Sequence, residues 1–175
     1  MFDVVVAADL DWGIGKASGL PWPKLKGDLA HFKRVTTTAP EGQRNAIIMG
    51  RRTWESTEVA GRPLPRRLNI VISRNMLLAP EGVLAARSLD EALNTAAKAP
   101  GIAATFVVGG AQIFREALAH AALSSVYLTR VEGRFGCDTM IPNLDAMGFV
   151  PTTWDGACSD VDNHVSYEIE RLVRG

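Results

Sequence analysis

Four short runs of apolar residues, Asp3–Ala8, Ala46–Met49, Leu68–Ile72 and Thr105–Val108, constrain the fold of this chain more than any other feature of it. Each has the length of a β-strand, each is bounded by Gly, Pro or polar residues, and three are rich in Val or Ile. Their apolar character is nearly continuous and does not alternate, so both faces must be covered, as in a parallel sheet. Helical patterns lie between them. Gly27–Thr37 carries Leu29, Phe32 and Val35 at helical spacing, and Ala111–Ala121 repeats apolar residues in the same way. Ser88–Ala97 opens with Ser-Leu-Asp-Glu, a capping box with Ser88 as N-cap and Glu91 three residues on. Strands alternating with helices predict an α/β fold: one three-layer domain with a central mixed, mainly parallel sheet flanked by helices. Ser125–Val131 and His164–Val173 read as strands with no helix between them, which predicts an antiparallel C-terminal edge.

A chain of 175 residues fits one domain, taken as residues 1–175. Lys plus Arg equals Asp plus Glu, 19 against 19, so bulk electrostatics give no support to nucleic acid or an anionic membrane as partners. Cys137 and Cys158 are too few for a disulfide framework and lack metal-ligand spacing, so reduced thiols and no metal site are expected. Asp3 interrupts the start, and the apolar run Val4–Ala8 is too short for a signal peptide. No run approaches the length of a bilayer span. The expectation is a soluble cytoplasmic protein, monomeric by default.

The residues that could carry chemistry fall in four places. Asp28 opens the Gly27–Thr37 helix, where an acid favours the helix dipole. It also shares a face with Phe32 and Val35, and a carboxylate on an apolar wall can accept two N–H donors from a flat, nitrogen-rich ring. Leu10–Lys26 is a long irregular stretch, of a kind that in compact domains tends to be functional. Its Leu20-Pro21-Trp22-Pro23 is stiffened by two prolines, and Trp22 either anchors the loop to the core or covers the pocket of Asp28. Gly50-Arg51-Arg52-Thr53-Trp54 and Ser73-Arg74 each follow a predicted parallel strand, where ligands of open α/β sheets bind. A helix start flanked by guanidinium groups suits phosphate. Finally, Val108-Gly109-Gly110-Ala111 joins a strand to a helix with bare backbone. Neither it nor Gly13-Ile14-Gly15 completes G-x-G-x-x-G, which disfavours a standard dinucleotide-binding domain.

Taken in order, these blocks resemble the dihydrofolate reductases. Gly13-Ile14-Gly15, Leu20-Pro21-Trp22, Asp28-Leu29 and Phe32-Lys33 are similar to that family's substrate half. Ile48-Met49-Gly50-Arg51-Arg52-Thr53-Trp54, Arg62-Pro63-Leu64-Pro65, Asn69-Ile70-Val71-Ile72-Ser73-Arg74, Val108-Gly109-Gly110, Tyr127-Leu128-Thr129 and Asp138-Thr139 continue the match. The resemblance implies reduction of dihydrofolate by NADPH, with dihydrofolate and antifolate inhibitors as small-molecule partners. It implies that Asp28, held by Thr129, binds the pterin, with Leu20 and Trp22 at the reacting end. Val5, Val6, Phe32, Val108 and Phe114 would line the pterin and nicotinamide pockets, Leu64 the benzoyl ring, and Arg67 would grip the glutamate carboxylate. Ala7, Ile14, Gly15, Gly50, Arg51, Arg52, Thr53, Ser73, Arg74, Arg87, Gly109, Gly110, Ala111, Gln112 and Ile113 would hold NADPH. Residues about 45–105 would form the adenosine-binding part. It further implies a cis peptide at the Gly-Gly pair and an Asp138 that hydrogen-bonds the closed Leu10–Lys26 loop.

The chain departs from the pattern at several points. Ala111 replaces a third Gly common in bacterial members, Phe114 a frequent Tyr, and Leu20 a frequent Met. Thr57–Gly61 and Pro23–Lys26 are longer than in compact bacterial forms. Two rival readings stay open on the residues alone: a same-fold pyrimidine reductase of riboflavin synthesis, and a non-catalytic NADPH-binding sensor.

Overall fold

A computed structural model of the chain describes residues 1–75 and 79–175. In chain order the elements are β1 (Phe2–Ala8), β2 (Gly13–Gly15), α1 (Lys26–Thr37), β3 (Arg44–Gly50), α2 (Arg51–Trp54), β4 (Arg67–Ile72) and β5 (Val83–Ala86). They continue with α3 (Leu89–Lys98), β6 (Ile102–Gly109), α4 (Ala111–Ala119), β7 (Leu123–Val131), β8 (Thr139–Met140), β9 (Phe149–Thr152), β10 (Cys158–Asp162) and β11 (Val165–Arg174).

The main sheet runs β10-β11-β7-β1-β6-β3-β4-β5, with β9 also paired to β11. Every pairing from β7 to β5 is parallel, and those of β11 with β7, β9 and β10 are antiparallel. The mixed sheet and its antiparallel C-terminal edge thus match the sequence reading.

The continuous apolar runs are explained by where successive residues go. Val4 and Val6 of β1, Ala46 and Ile48 of β3, and Leu68 and Ile70 of β4 enter one core with α3 and α4. Their neighbours Val5, Ile47, Met49 and Val71 enter a second core on the other face, against Phe32 and Val35 of α1. Side chains alternate across a strand, so a sheet covered on both sides needs an apolar residue at every position.

Ser88 caps α3 by accepting the Glu91 N–H at 3.1 Å. The predicted box closes differently, because Glu91 accepts from the Arg87 N–H at 2.7 Å, one residue further back than the capping-box pattern. The Leu10–Lys26 segment is more ordered than its composition suggests. Its β2 pairs with β8 in a separate two-stranded ribbon, and Lys16 and Gly19 exchange backbone hydrogen bonds. Asp9, almost fully buried, fastens the base of this segment: its carboxylate accepts the N–H groups of Asp11, Gly13 and Phe135. Among the described residues no helix is long and apolar enough to cross a membrane. Nor does any group of three His, Cys, Asp or Glu among them stand where it could hold a metal.

Candidate active site

One long cleft runs past the C-terminal ends of β1, β3, β4 and β6, where the parallel strands hand over to loops and helix starts. Asp28 and Phe32 of α1 line it, one turn apart, together with Leu29 and Lys33. Thr129 of β7 reaches Asp28 from beneath: its hydroxyl donates to Asp28 Oδ1 at 2.6 Å. Burial raises the Asp28 pKa above the ordinary carboxylate value, and the Thr129 hydrogen bond opposes that rise only in part. The result is an acid aimed into an apolar pocket, with Val5, Val6, Ala7, Val108 and Phe114 along the same cleft. Leu20 and Leu29 also line it and stay 43% and 40% exposed, apolar surface that a ligand would cover.

Arg67, only 7% exposed, lies further along with Leu64. Its Nε donates to the Pro65 carbonyl at 3.0 Å and Nη1 to the Thr36 hydroxyl at 2.9 Å. The guanidinium is thereby aimed, with donors to spare for a carboxylate.

The other half of the cleft has features that suit phosphate. The Gly109–Gly110 peptide is cis. A Cβ on either residue would stand 3.0–3.1 Å from the Thr53 hydroxyl oxygen, a tight contact, and Gly109 also has a φ of +139° that side chains rarely adopt. Immediately afterwards α4 begins with no side-chain cap, and its Ala111, Gln112 and Ile113 line the cleft with Gly50, Thr53, Arg52, Arg74 and Arg87. An uncapped helix start beside several guanidinium groups suits a ligand carrying more than one phosphate, so these residues fit NADPH. Two predicted phosphate ligands are otherwise engaged. Arg51 donates from Nε to Glu55 at 2.9 Å, one turn along, and the Ser73 hydroxyl donates to the Asn75 carbonyl at 2.7 Å. Both residues still line the cleft, as do Ile14 and Gly15 of β2.

Trp22 is placed differently from its pocket-covering reading. Its ring is 5% exposed and packs with Leu25, Val131, Tyr167 and Ile169, edge-on to Phe135 at 5.8 Å, and it is not among the cleft-lining residues. The flanking prolines set the chain direction, and the large apolar ring takes the nearest core, so Trp22 anchors the loop. Asp138 meets that loop as expected: its Oδ2 accepts the Ala17 N–H at 2.9 Å, and its own N–H donates to the Gly15 carbonyl at 3.1 Å.

Glu58 was not anticipated. It lines the opposite lip and accepts the Leu20 N–H at 3.3 Å. It sits in a turn after α2 that carries no periodic signal. His31 of α1 was missed as well: it is 1% exposed, neither ring nitrogen has a hydrogen-bond partner among the described residues, and it lies edge-on to Trp154 at 5.5 Å.

Comparison with known proteins agrees with this geometry. The dihydrofolate reductase family model matches residues 1–174. A dihydrofolate reductase of Heliothis virescens is 39% identical over 84% of this chain and 82% of its own length. One of Rattus norvegicus is 39% identical over 81% of this chain and 78% of its own. A bifunctional dihydrofolate reductase-thymidylate synthase of Glycine max is 41% identical over 99% of the chain, which spans 33% of that relative's length. Among solved structures, Schistosoma mansoni dihydrofolate reductase superposes with a TM-score of 0.86 at 32% identity, covering 99% of this chain and 98% of that one. A family model that matches residues 1–174, and relatives 39% identical over about four fifths of both chains, leave one conclusion: the chain belongs to the dihydrofolate reductase family.

Proposed function

We propose that the chain reduces 7,8-dihydrofolate to 5,6,7,8-tetrahydrofolate with NADPH. The observation that carries the reading is the half-buried, Thr129-bonded carboxylate of Asp28 sharing one cleft with a phosphate-suited wall. Asp28 accepts the N–H donors at one edge of the pterin, and Thr129 fixes the carboxylate rotamer. Val5, Val6, Phe32, Val108 and Phe114 sandwich the ring and exclude water. Leu64 covers the benzoyl group, and Arg67 pairs with the glutamate carboxylate.

NADPH supplies the hydride to pterin C6. Gly109, Gly110 and Ala7, which line the cleft with little or no side chain, would let it lie close to the pterin. Ile14, Gly15, Ala111, Gln112 and Ile113 would flank it, while Gly50, Arg51, Arg52, Thr53, Ser73, Arg74 and Arg87 would hold its phosphates and adenosine side, within residues about 45–105. The chain's own contribution is proximity and orientation. An acid engaged at one edge of the pterin does not reach N5 at the other, so water delivers the N5 proton and Asp28 tunes the ring electrostatically. A cytoplasmic monomer is taken as the working form of this reading. Antifolates compete for the Asp28 pocket. Asp28 and Arg67 together favour this reading over a pyrimidine reductase or a cofactor sensor, neither of which uses both.

The test is NADPH oxidation with dihydrofolate by the chain and by Asp28→Asn. The variant keeps the shape and an acceptor for Thr129 but loses the charge, and should fall at least roughly a hundredfold in turnover. Turnover unaffected by the substitution would overturn the mechanism, and NADPH binding without turnover would overturn the activity.

A further inference from the structure

The helix that carries Asp28 does not cap itself. Its N-cap position is Leu25, which has no side chain able to accept a hydrogen bond, and no side-chain cap is made from within the segment. The acceptor comes instead from the far end of the chain. Asp162, the last residue of β10, turns Oδ2 onto the Gly27 N–H at 2.9 Å, one residue before Asp28. The same oxygen accepts the Tyr167 hydroxyl at 2.8 Å from β11. Tyr167 is 1% exposed, so its hydroxyl direction is fixed by packing with Trp22, Leu25 and Ile169.

Two further observations show the fit to be specific. A Cβ on Gly27 would collide with the Tyr167 hydroxyl, so any side chain there must displace the tyrosine or the helix start. Next to Asp162, Asn163 Nδ2 donates to the Lys24 carbonyl at 2.6 Å, fastening the segment that leads into α1. Asn163 and His164 both have positive φ, 49° and 64°, as a tight two-residue hairpin turn between β10 and β11 requires. Hydrogen bonds to Gly27 and to Tyr167 hold the Asp162 carboxyl below its ordinary pKa, so it is the ionised form that faces the positive end of the helix.

We propose that Asp162 is a positioning residue for pterin recognition: it supplies the missing N-cap of α1 from the β10–β11 hairpin, and Tyr167 aims it, so that the first turn holds the Asp28 carboxylate in register with Thr129 and the cleft. The C-terminal hairpin is thereby part of the substrate site although it contributes nothing to the cleft lining. This inference rests on the dihydrofolate-reducing activity proposed above.

The experiment compares the full chain with Asp162→Ala, Asp162→Asn and Tyr167→Phe. Asp162→Ala should lower kcat/KM for dihydrofolate about fivefold to tenfold, the effect of a lost helix cap, and leave the NADPH dissociation constant unchanged, because the phosphate wall is held by other elements. Asp162→Asn retains an oxygen that can accept from both Gly27 and Tyr167, and should restore most of the loss. Tyr167→Phe should show a smaller loss in the same direction, and decides the matter if Asp162→Ala does not fold. Wild-type kcat/KM in Asp162→Ala, failure of Asp162→Asn to rescue, or an equal weakening of NADPH binding would each overturn the inference. An inactive parent chain would instead overturn the activity on which it rests.

Discussion

The hydroxyl of Thr36 offers the sharpest test of how substrate recognition is built. Thr36 is fully buried near the end of α1. It donates to the Phe32 carbonyl at 2.7 Å and accepts from Arg67 Nη1 at 2.9 Å. Its own carbonyl accepts from the buried Asn45 side chain at 3.1 Å, so Thr36 cannot drift. Arg67 has five N–H donors; Pro65 and Thr36 take two and leave three for a ligand. Thr36→Val keeps the shape and removes one fixed point of the guanidinium. A hydrogen bond to a charged group contributes about 1.5–3 kcal/mol. Rotation of Arg67 about its Pro65 tether and water entry recover part of that, so a loss of about 1.5 kcal/mol, or roughly tenfold, is expected in binding.

Steady-state kinetics with two substrates isolates the effect. KM for dihydrofolate should rise about tenfold with kcat nearly constant, because Arg67 acts on the tail in ground state and transition state alike. A dihydropterin without the glutamate should show no change. An equal loss on the tail-less substrate would refute the reasoning, since the defect would then lie in α1 or the pterin pocket. No loss on either would show that the Pro65 carbonyl alone aims the arginine.

Two further outcomes follow from buried groups. Burial first, and the charge of Arg34 second, lower the His31 pKa from 6.5 to about 4. The unfolded chain therefore takes up a proton that the folded one refuses. Stability is full above about pH 6.5 and falls by on the order of 3 kcal/mol as pH drops towards 4. His31→Phe should flatten the thermal-unfolding profile across that window, and an unchanged slope would assign the acid sensitivity elsewhere. Gly27→Ala should destabilise the chain by about 1–3 kcal/mol through overlap with Tyr167. Adding Tyr167→Phe should recover part of that in denaturant melts, whereas additive losses would mean that the two residues do not compete for space.

Most of the sheet could be read from the sequence because its strands are buried on both faces, which leaves a continuous apolar run as the signature. The strands that escaped carry no such mark. β10 is polar and exposed along almost its whole length, and β2 is a Gly-Ile-Gly whose pairing depends on β8 and on the buried carboxylate of Asp9. Trp22 escaped for another reason. A tryptophan between two prolines has a definite direction, but only the finished core shows which side of the chain it takes.

Helix α1 shows most clearly where pattern reading stops. Its apolar Leu29, Phe32 and Val35 fall at helical spacing, yet its most buried residues are His31 and Thr36, while Leu29 stays 40% exposed. The cause is geometric. Residues 28, 29, 32 and 33 all line the cleft, the spacing of one helix face. Turning that face to a ligand rotates residue 31 to the opposite side, onto Trp154 and Tyr127. A periodic apolar stripe reports surface that must be covered, and says nothing of whether protein or ligand covers it. In the function proposed above a ligand covers part of it on α1, and the His31 ring, buried with no hydrogen-bond partner among the described residues, is part of the folding cost of that arrangement. The same reasoning explains why Asp28 was legible while its more distant supports were not. A carboxylate beside an apolar stripe is visible in the sequence, and Thr129 came with the family resemblance, but Asp162 and Tyr167 reach the start of α1 only through a strand pairing at the opposite end of the chain.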